Sequence, residues 1–521
     1  MNNSWLDNSK SPTDKGNPNP WWNRDCQVAK EIFEFDRSET NRQCYNNAVF
    51  HARSEFFKLK LDEMSRLNKP WEGIRWTKPR PPPSYSQISS DGHVVTSQTD
   101  LFDVMHDQFV KTNLSSTVDW DFVNSIESKP TRSAPQISAL EVTQALHSTS
   151  NTSAPGPDHI TWRLLKSALS GDIVINSLTF FFNQIFDSGV WPDALKTSTT
   201  VIIPKPNKDD YSLPKAYRPI ALLNTLGKLM TKILANRLQF DGITENLFHP
   251  GQCGGIKKHA TIDAGLIITN FVIQSRNRGL FSSVLAVDIA QFFPSINHDV
   301  MATILFKLGF DLKIANIISS FFRSRKTNYR WGESYSKEYD VSVGTPQGDP
   351  ISPVLSALYI AVILNGHFPW SYTEQDVNCL FYVDDGCFFT CSPSMKTNVQ
   401  RLSLSLHMLT NFFLKIGITI EPSKIELKHF TAYNVAASQR KFLHKKQPSL
   451  FFNNYEIKPL DTWRYLGFFF DSFLNFNFHT KYYTNKAFSA LRACNMLGNS
   501  CKGLNPKNRI LAYRSCIVPI L

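Results

Sequence analysis

Residues Cys379–Cys391 read CLFYVDDGCFFTC. Two β-prone runs flank the turn-forming triplet Asp384-Asp385-Gly386, which predicts a β-hairpin with both carboxylates at its tip. Asp and Gly are ordinary turn residues, and such a triplet alone is more often only a turn. A second stretch shifts that balance. SSVLAVDIAQFF (282–293) is another β-prone run and carries Asp288 at its end. Three carboxylates converging at neighbouring strand ends repel one another and raise their own pKa values unless cations sit among the oxygens. Two Mg²⁺ ions about 4 Å apart, held by shared carboxylates, would activate an attacking hydroxyl and stabilise the phosphorus centre and its leaving oxygen. Nucleotidyl transfer needs that arrangement.

The rest of the chain is compatible with such chemistry. At 521 residues it is too long for one small core, so a multi-lobed enzyme or several domains is expected. Lys and Arg number 56 against 44 Asp and Glu, a formal charge of +12 that favours polyanionic partners, nucleic acid before anionic membrane. The longest apolar run, PVLSALYIAVIL from Pro353, is too short to span a bilayer, and MNNSWLDNSK has no signal-peptide pattern. A soluble, intracellular protein without a membrane partner is expected. Nine scattered cysteines fit a reducing compartment, and Cys387 and Cys391 read as small buried hydrophobes rather than metal ligands.

Residues 1–20 are polar and predicted disordered. From WWNRDCQVAKEIFEF to HARSEFFKLKLDEMSRL neither Pro nor Gly interrupts, which predicts one or two amphipathic helices; NKPWEGIRWTKPRPPPSYS then reads as a linker. From Ala134 the pattern mixes. SALEVTQALHS and TWRLLKSALS look helical, and STTVIIPK is a β-rich run. TLGKLMTKILANRL predicts a packed surface helix with Leu226, Leu229, Met230, Ile233, Leu234 and Leu238 inward and Lys228, Lys232 and Arg237 elsewhere. The irregular order of helices and strands favours α+β over a doubly wound sheet.

These motifs carry a resemblance. FYVDD looks like the Tyr-x-Asp-Asp box of reverse transcriptases, and AVDIAQFF is similar to their first palm motif. In SVGTPQGDPISPVLSALYIA, Gly344 to Gly348 match the loop that tracks the template and nascent pair. RPIALLNTLGKLMTKILANRL, GITIEPSKIEL and WRYLGFFFD resemble the fingers, the lysine-bearing fourth palm motif and the primer grip, in the family's order.

A disordered 1–20 and a helical extension with its Pro-rich linker over 21–133 precede the region of resemblance, which implies a right-hand polymerase fold: fingers and an antiparallel-sheet palm over 134–471 with a core at 186–471, and a partial thumb over 472–521. It implies Asp288, Asp384 and Asp385 as ligands of two Mg²⁺ ions, with Mn²⁺ as an alternative and the Ile289 carbonyl as a further ligand. Lys205 and Arg218 would grip the incoming triphosphate, Arg as a fork and Lys as a point charge. Gln347, Gly348 and Tyr382 would contact nucleotide or template, and Lys424 would protonate the leaving pyrophosphate. Tyr465, Leu466 and Gly467 would hold the primer end. For any one of these basic residues alone, a solvated loop charge is the better reading.

Phe293 stands five residues after Asp288, where reverse transcriptases place an aromatic gate against a ribose 2′-hydroxyl. A ring there excludes the hydroxyl sterically and offers it no partner. The implied partners are therefore an RNA template, a DNA primer and deoxynucleoside triphosphates. WWNRDCQ, SSDGHVVTSQTDLFDVMHDQF and SAPGPDHITWRLLK resemble flanks of LINE-type, non-LTR retrotransposon enzymes, which implies a nuclear location although no import cluster stands out. DIAQFFPSINHD is closer in flavour to group II intron and retron enzymes, and Asp349 replaces a commoner Ser; neither departure removes a metal ligand. RILAYRSCIVPIL ends in an apolar stretch, so an incomplete thumb is expected. Two rival readings stand beside the polymerase: a nucleic-acid-binding remnant that no longer polymerises, and a group II intron-like maturase.

Overall fold

The computed structural model describes residues 19–66, 71, 88–90, 93–95, 97–110, 118–168, 171–206, 208–368, 370, 377–432, 447–495 and 503–520. The expected disordered N-terminus, apart from its last two residues, and nearly all of the Pro-rich linker lie outside them. By its contacts the chain divides into two units, residues 82–475 in one and residues 1–81 with 476–521 in the other.

In chain order the strands are β1 (Ile88–Ser90), β2 (His93–Val95), β3 (Thr197–Pro204), β4 (Tyr217–Leu223), β5 (Phe281–Asp288), β6 (Arg325–Trp331) and β7 (Ser334–Val341). They continue with β8 (Asn378–Tyr382), β9 (Asp385–Ser392), β10 (Glu426–Phe430), β11 (Leu450–Phe452), β12 (Tyr455–Ile457), β13 (Thr462–Tyr465) and β14 (Phe468–Asp471). With the intervening helices this is a mixed α+β architecture.

In the larger unit one sheet has the order β10-β5-β9-β8, every pair antiparallel. β5 is buried between its ends, as a near-continuous apolar run predicts for a central strand covered on both faces. Helices Met395–Lys415 and Thr261–Asn277 pack on this sheet, and Ser352–His367 is buried almost all round. A second sheet, β4-β3-β6-β7, joins β3 and β6 in parallel across more than a hundred residues. Against it the β1–β2 hairpin and helix Gln98–Phe109 bury Ile88, Phe102, Met105 and Phe109 among Tyr217, Tyr329 and Tyr339. His106 Nδ1 lies 3.0 Å from the Tyr329 hydroxyl, and Tyr339 donates to Asp103 at 2.6 Å.

TLGKLMTKILANRL lies within helix Thr225–Thr244, and the six apolar positions named above face inward except Leu226, which is partly buried. The helix is more enclosed than a surface helix: Lys228, expected away from the packed face, is itself buried, and desolvation lowers its ammonium pKa. The Asp288 carboxylate ends its strand, after which the chain turns into the short helix Phe292–Ser295 rather than extending the strand to Phe293.

The other unit joins the two chain ends. Helices Arg24–Phe35 and Glu39–Arg66 form a hairpin in which Phe33 stacks on Tyr45 at 6.0 Å. Leu61 is buried with Leu504 and Ala512, and the Gly503 N–H donates to Asp62 at 3.0 Å, which ties the hairpin to helix Pro506–Cys516.

Candidate active site

The end of the antiparallel sheet assembles the acidic residues. Asp288, last in β5, is the register partner of Asp385, first in β9, and Asp385 also pairs with Tyr382 at the end of β8. Val383 and Asp384 form the turn between β8 and β9, so Asp384 alone of the two acidic residues sits at the tip. Val383 has φ +63°, a left-handed conformation that is strained for a β-branched side chain. Two neighbours hold this turn in place. The Ile289 N–H donates to the Asp384 carbonyl at 3.1 Å, and the Cys253 N–H donates to the Phe381 carbonyl at 2.9 Å. Next to Cys253, a Cβ on Gly254 would stand 2.4 Å from the Val383 nitrogen, so the two backbones touch with no side chain between them.

Lys424 reaches the same point by backbone stitching. The Glu421 N–H donates to the Asp288 carbonyl and the Ala290 N–H to the Thr419 carbonyl, which lays residues 419–421 alongside 288–290. From there the Lys424 ammonium donates to Asp288 Oδ2 at 2.7 Å. The lysine is well exposed, so this pair orients the two groups more than it stabilises the fold.

Electrostatics at this sheet end are strained toward the neutral acids. Desolvation, followed by the charge of Asp288, raises the Asp384 carboxyl. Asp385 is exposed to a concave cleft rather than to open solvent; the surrounding protein, then the charges of Asp384 and Asp288, push it up to about 6.

Asp288, Asp384, Asp385, Ile289 and Lys424 line one cleft of about 530 Å³. Lys205, Arg218, Phe293 and Gln347 line it too. Lys205 follows β3, and its ammonium donates to the Lys215 carbonyl at 2.9 Å; burial, then the neighbouring Arg218 charge, lowers its pKa. Arg218 lies on β4 opposite Ile203. The loop bearing Gln347 is joined to β4 where the Ala221 N–H donates to the Gln347 carbonyl at 2.8 Å. Gly348 follows with φ +115° and packs against the Ala221 carbonyl.

The β13–β14 hairpin lies beside the cleft. Tyr465 is only 5% exposed: its hydroxyl donates to the Asp385 carbonyl at 3.1 Å and its ring stacks on Trp463. The turn residues Leu466 and Gly467 are partly exposed and have positive φ. Fully buried Lys428 on β10 fixes the hairpin base through the Leu460 and Asp461 carbonyls and the Ser472 hydroxyl, at 2.6–2.9 Å.

Sequence reasoning missed part of the cleft wall. Gln108 and Phe109, from the end of helix Gln98–Phe109, line it with Lys208, Tyr217 and Gln291. Gln291, at φ +47°, donates to the Gln108 carbonyl at 3.2 Å. An amphipathic helix 180 residues upstream gives no local signal for this role.

The donor set is oxygen only, with two carboxyls short of countercharge, which is the chemistry of a hard divalent cation site. As placed, no three His, Cys, Asp or Glu side chains among the described residues are gathered tightly enough to cage a metal ion, and the cation on Asp288 is the Lys424 ammonium. No helix among the described residues is long and apolar enough to cross a membrane.

Residues 203–470 match the family model described as reverse transcriptase (RNA-dependent DNA polymerase). Similar proteins include a probable RNA-directed DNA polymerase from transposon BS of Drosophila melanogaster, 23% identical over 96% of this chain and 54% of that protein. The RNA-directed DNA polymerase from mobile element jockey of Drosophila funebris is 23% identical over 74% of this chain and 41% of its own length. A retrovirus-related Pol polyprotein from the type-1 retrotransposable element R2 of Popillia japonica is 26% identical over 61% and 43%. The chain spans about half the length of the curated relatives it matches. With its ordered motifs and its paired strand-end carboxylates, the chain belongs to the reverse transcriptase (RNA-directed DNA polymerase) family of non-LTR retrotransposons.

Proposed function

We propose that this chain adds deoxynucleotides to a DNA primer on an RNA template, with the β10-β5-β9-β8 sheet as palm, the β4-β3-β6-β7 sheet as fingers, and residues 472–521 as part of a thumb. The observation that carries this reading is the meeting of Asp288 and Asp385 across adjacent strands, beside Asp384, in a cleft that Lys205, Lys208 and Arg218 also line. Asp288, Asp384, Asp385 and the Ile289 carbonyl would hold the divalent ions, which when bound neutralise charge on the attacking and leaving oxygens. The protein's own groups do the remaining work. Lys205 and Arg218 bind the triphosphate of the incoming nucleotide. Gln347, Gly348 and Tyr382 contact the nucleotide or the template. Phe293 occupies the space a ribose 2′-hydroxyl would need. Lys424 passes a proton to the leaving pyrophosphate, and its hold on Asp288 keeps it at the reacting phosphate. The β13–β14 turn, Leu466 and Gly467, carries the primer with Tyr465 fixing the turn to the Asp385 backbone.

Primer extension on an RNA template with Mg²⁺, wild type against Asp384→Ala, tests this. Extension by wild type and its abolition in the variant support the polymerase. Tight template–primer binding by a wild type that never extends would favour the nucleic-acid-binding remnant instead.

A further inference from the structure

Phe293 is held in place from outside its own short helix. The Thr345 N–H donates to the Phe293 carbonyl and the Gly344 N–H to the Ile296 carbonyl, both at 2.8 Å. Gly344 has φ +80°, and a Cβ there would lie 2.8 Å from the Cα and carbonyl oxygen of Pro294 and 2.9 Å from the carbonyl oxygen of Phe293. Loop 344–345 and the Phe293 backbone therefore move as one piece.

The loop has its own anchor on the far side. The Gly344 carbonyl accepts from Arg325 Nη2 at 2.6 Å and faces His298 Nε2 at 2.8 Å. Arg325 is only 5% exposed; no carboxylate among the described residues contacts it as an ion pair, and the countercharge that acts on it is that of buried Asp349. Its guanidinium rests 5.5 and 5.8 Å from the Phe322 and Phe321 ring centroids, and His298 stacks on Phe322 at 4.5 Å. Burial, then the Arg325 charge, pushes the His298 imidazole down to about 3, so the ring is neutral at working pH and donates to the carbonyl from Nε2. Burying a guanidinium with no carboxylate in contact is unfavourable unless its hydrogen bonds are well used. Here the charge is directed at one backbone oxygen, one peptide away from the aromatic gate.

We propose that Arg325, assisted by His298, is a positioning residue for discrimination between deoxyribonucleotides and ribonucleotides. By fixing the Gly344 carbonyl it fixes, through the two backbone hydrogen bonds of the loop, where the Phe293 ring stands beside the incoming sugar. This rests on the polymerase reading above. Steric exclusion of a single hydroxyl depends steeply on ring position, so loosening the loop opens the gate without removing the ring. Arg325 touches neither nucleotide nor reacting atoms in this account.

The test compares single-nucleotide addition of matched deoxy- and ribonucleoside triphosphates by wild type, Arg325→Met, Arg325→Lys and Gly344→Ala, with amide hydrogen exchange over residues 292–296 and 343–348. In Arg325→Met and Gly344→Ala the ratio of kcat/KM values, deoxy over ribo, is expected to fall by about tenfold or more. Most of the change should come from a lower KM for the ribonucleotide. Arg325→Lys keeps one donor and should retain most of the selectivity. The Gly344 and Thr345 amides should exchange faster in Arg325→Met. A merely structural role would reduce both substrates together and leave the ratio unchanged, and that result, or unchanged amide exchange, overturns the proposal. If Arg325→Met does not fold, Gly344→Ala and Arg325→Lys decide by the same ratio. Should wild type add no nucleotide at all, the polymerase reading fails separately, and the exchange measurement alone decides whether Arg325 anchors the gate.

Discussion

Asp288 and Asp385 are register partners at the last rung of the β5–β9 ladder, so two acidic side chains 97 positions apart end adjacent strands at one edge of the cleft. With Asp384 adjacent to Asp385, the repulsion among them is offset only in part, by the charges of Lys424 and Arg218.

Replacing Lys424 separates its two roles. Lys424→Ala should lower kcat by about 10²–10⁴-fold, as expected for loss of a general acid, while leaving template–primer affinity nearly unchanged. Its ion pair with Asp288 is exposed, so the unfolding free energy should change by less than about 1 kcal/mol. Single-turnover kinetics and a denaturant titration check both parts.

Gly254→Ala should damage the site without touching a carboxylate. The added methyl meets the Val383 nitrogen and the Tyr382 carbonyl carbon at 2.4 and 2.5 Å, and both are backbone atoms that cannot swing aside. Overpacking of this kind costs about 1–3 kcal/mol. Because the displaced turn carries Asp384, kcat should fall more than stability alone explains, as measured at a temperature where the variant is fully folded.

Phe293→Ala should admit ribonucleotides. Removing the ring opens the space beside the sugar, and the deoxy-to-ribo ratio of kcat/KM should drop by roughly 10–200-fold. Extension assays with each nucleotide class read this directly.

Stability should depend on pH through Asp349. This residue is buried, one carboxylate oxygen has no partner, and burial pushes the group up to about 6 from an ordinary 3.8. The folded state therefore holds this proton more firmly than the unfolded chain does, so its contribution to stability is fully present below pH 3.8 and is lost as pH rises through about 6. Asp349→Asn removes the titration. Relative to wild type it should gain stability between pH 4 and 6, reaching at most about 3 kcal/mol at neutral pH. Urea unfolding of both proteins at several pH values measures the difference.

Much of this was legible in the sequence because apolar runs end abruptly on charged residues. LAVD and LFYVDD could place Asp288 and Asp384 at strand ends, since a buried strand tolerates a carboxylate only where it leaves the core. What was not legible came from distance or from buried charge. Nothing local announces the parallel pairing of β3 with β6, or the arrival of Gln108 and Phe109 at the cleft. Lys228 is expected off the packed face, and no local pattern marks Arg325 or Lys428 for burial, yet each is buried. Arg325 and Lys428 find backbone carbonyls that only the tertiary fold supplies. Tyr465 carries a primer-facing expectation, while its side chain turns inward to the Asp385 carbonyl.

The proposed polymerase requires the carboxylates at the end of β5 and the β8–β9 turn to act together on divalent cations. Electron paramagnetic resonance of Mn²⁺ titrated into the protein with template–primer and a non-hydrolysable deoxynucleotide tests this directly. Wild type should take up Mn²⁺ and quench the free-ion signal, and both Asp288→Asn and Asp384→Asn should lose that uptake while still binding template–primer. Equal uptake by all three proteins, or none by wild type, would rule out a shared cation site at these carboxylates.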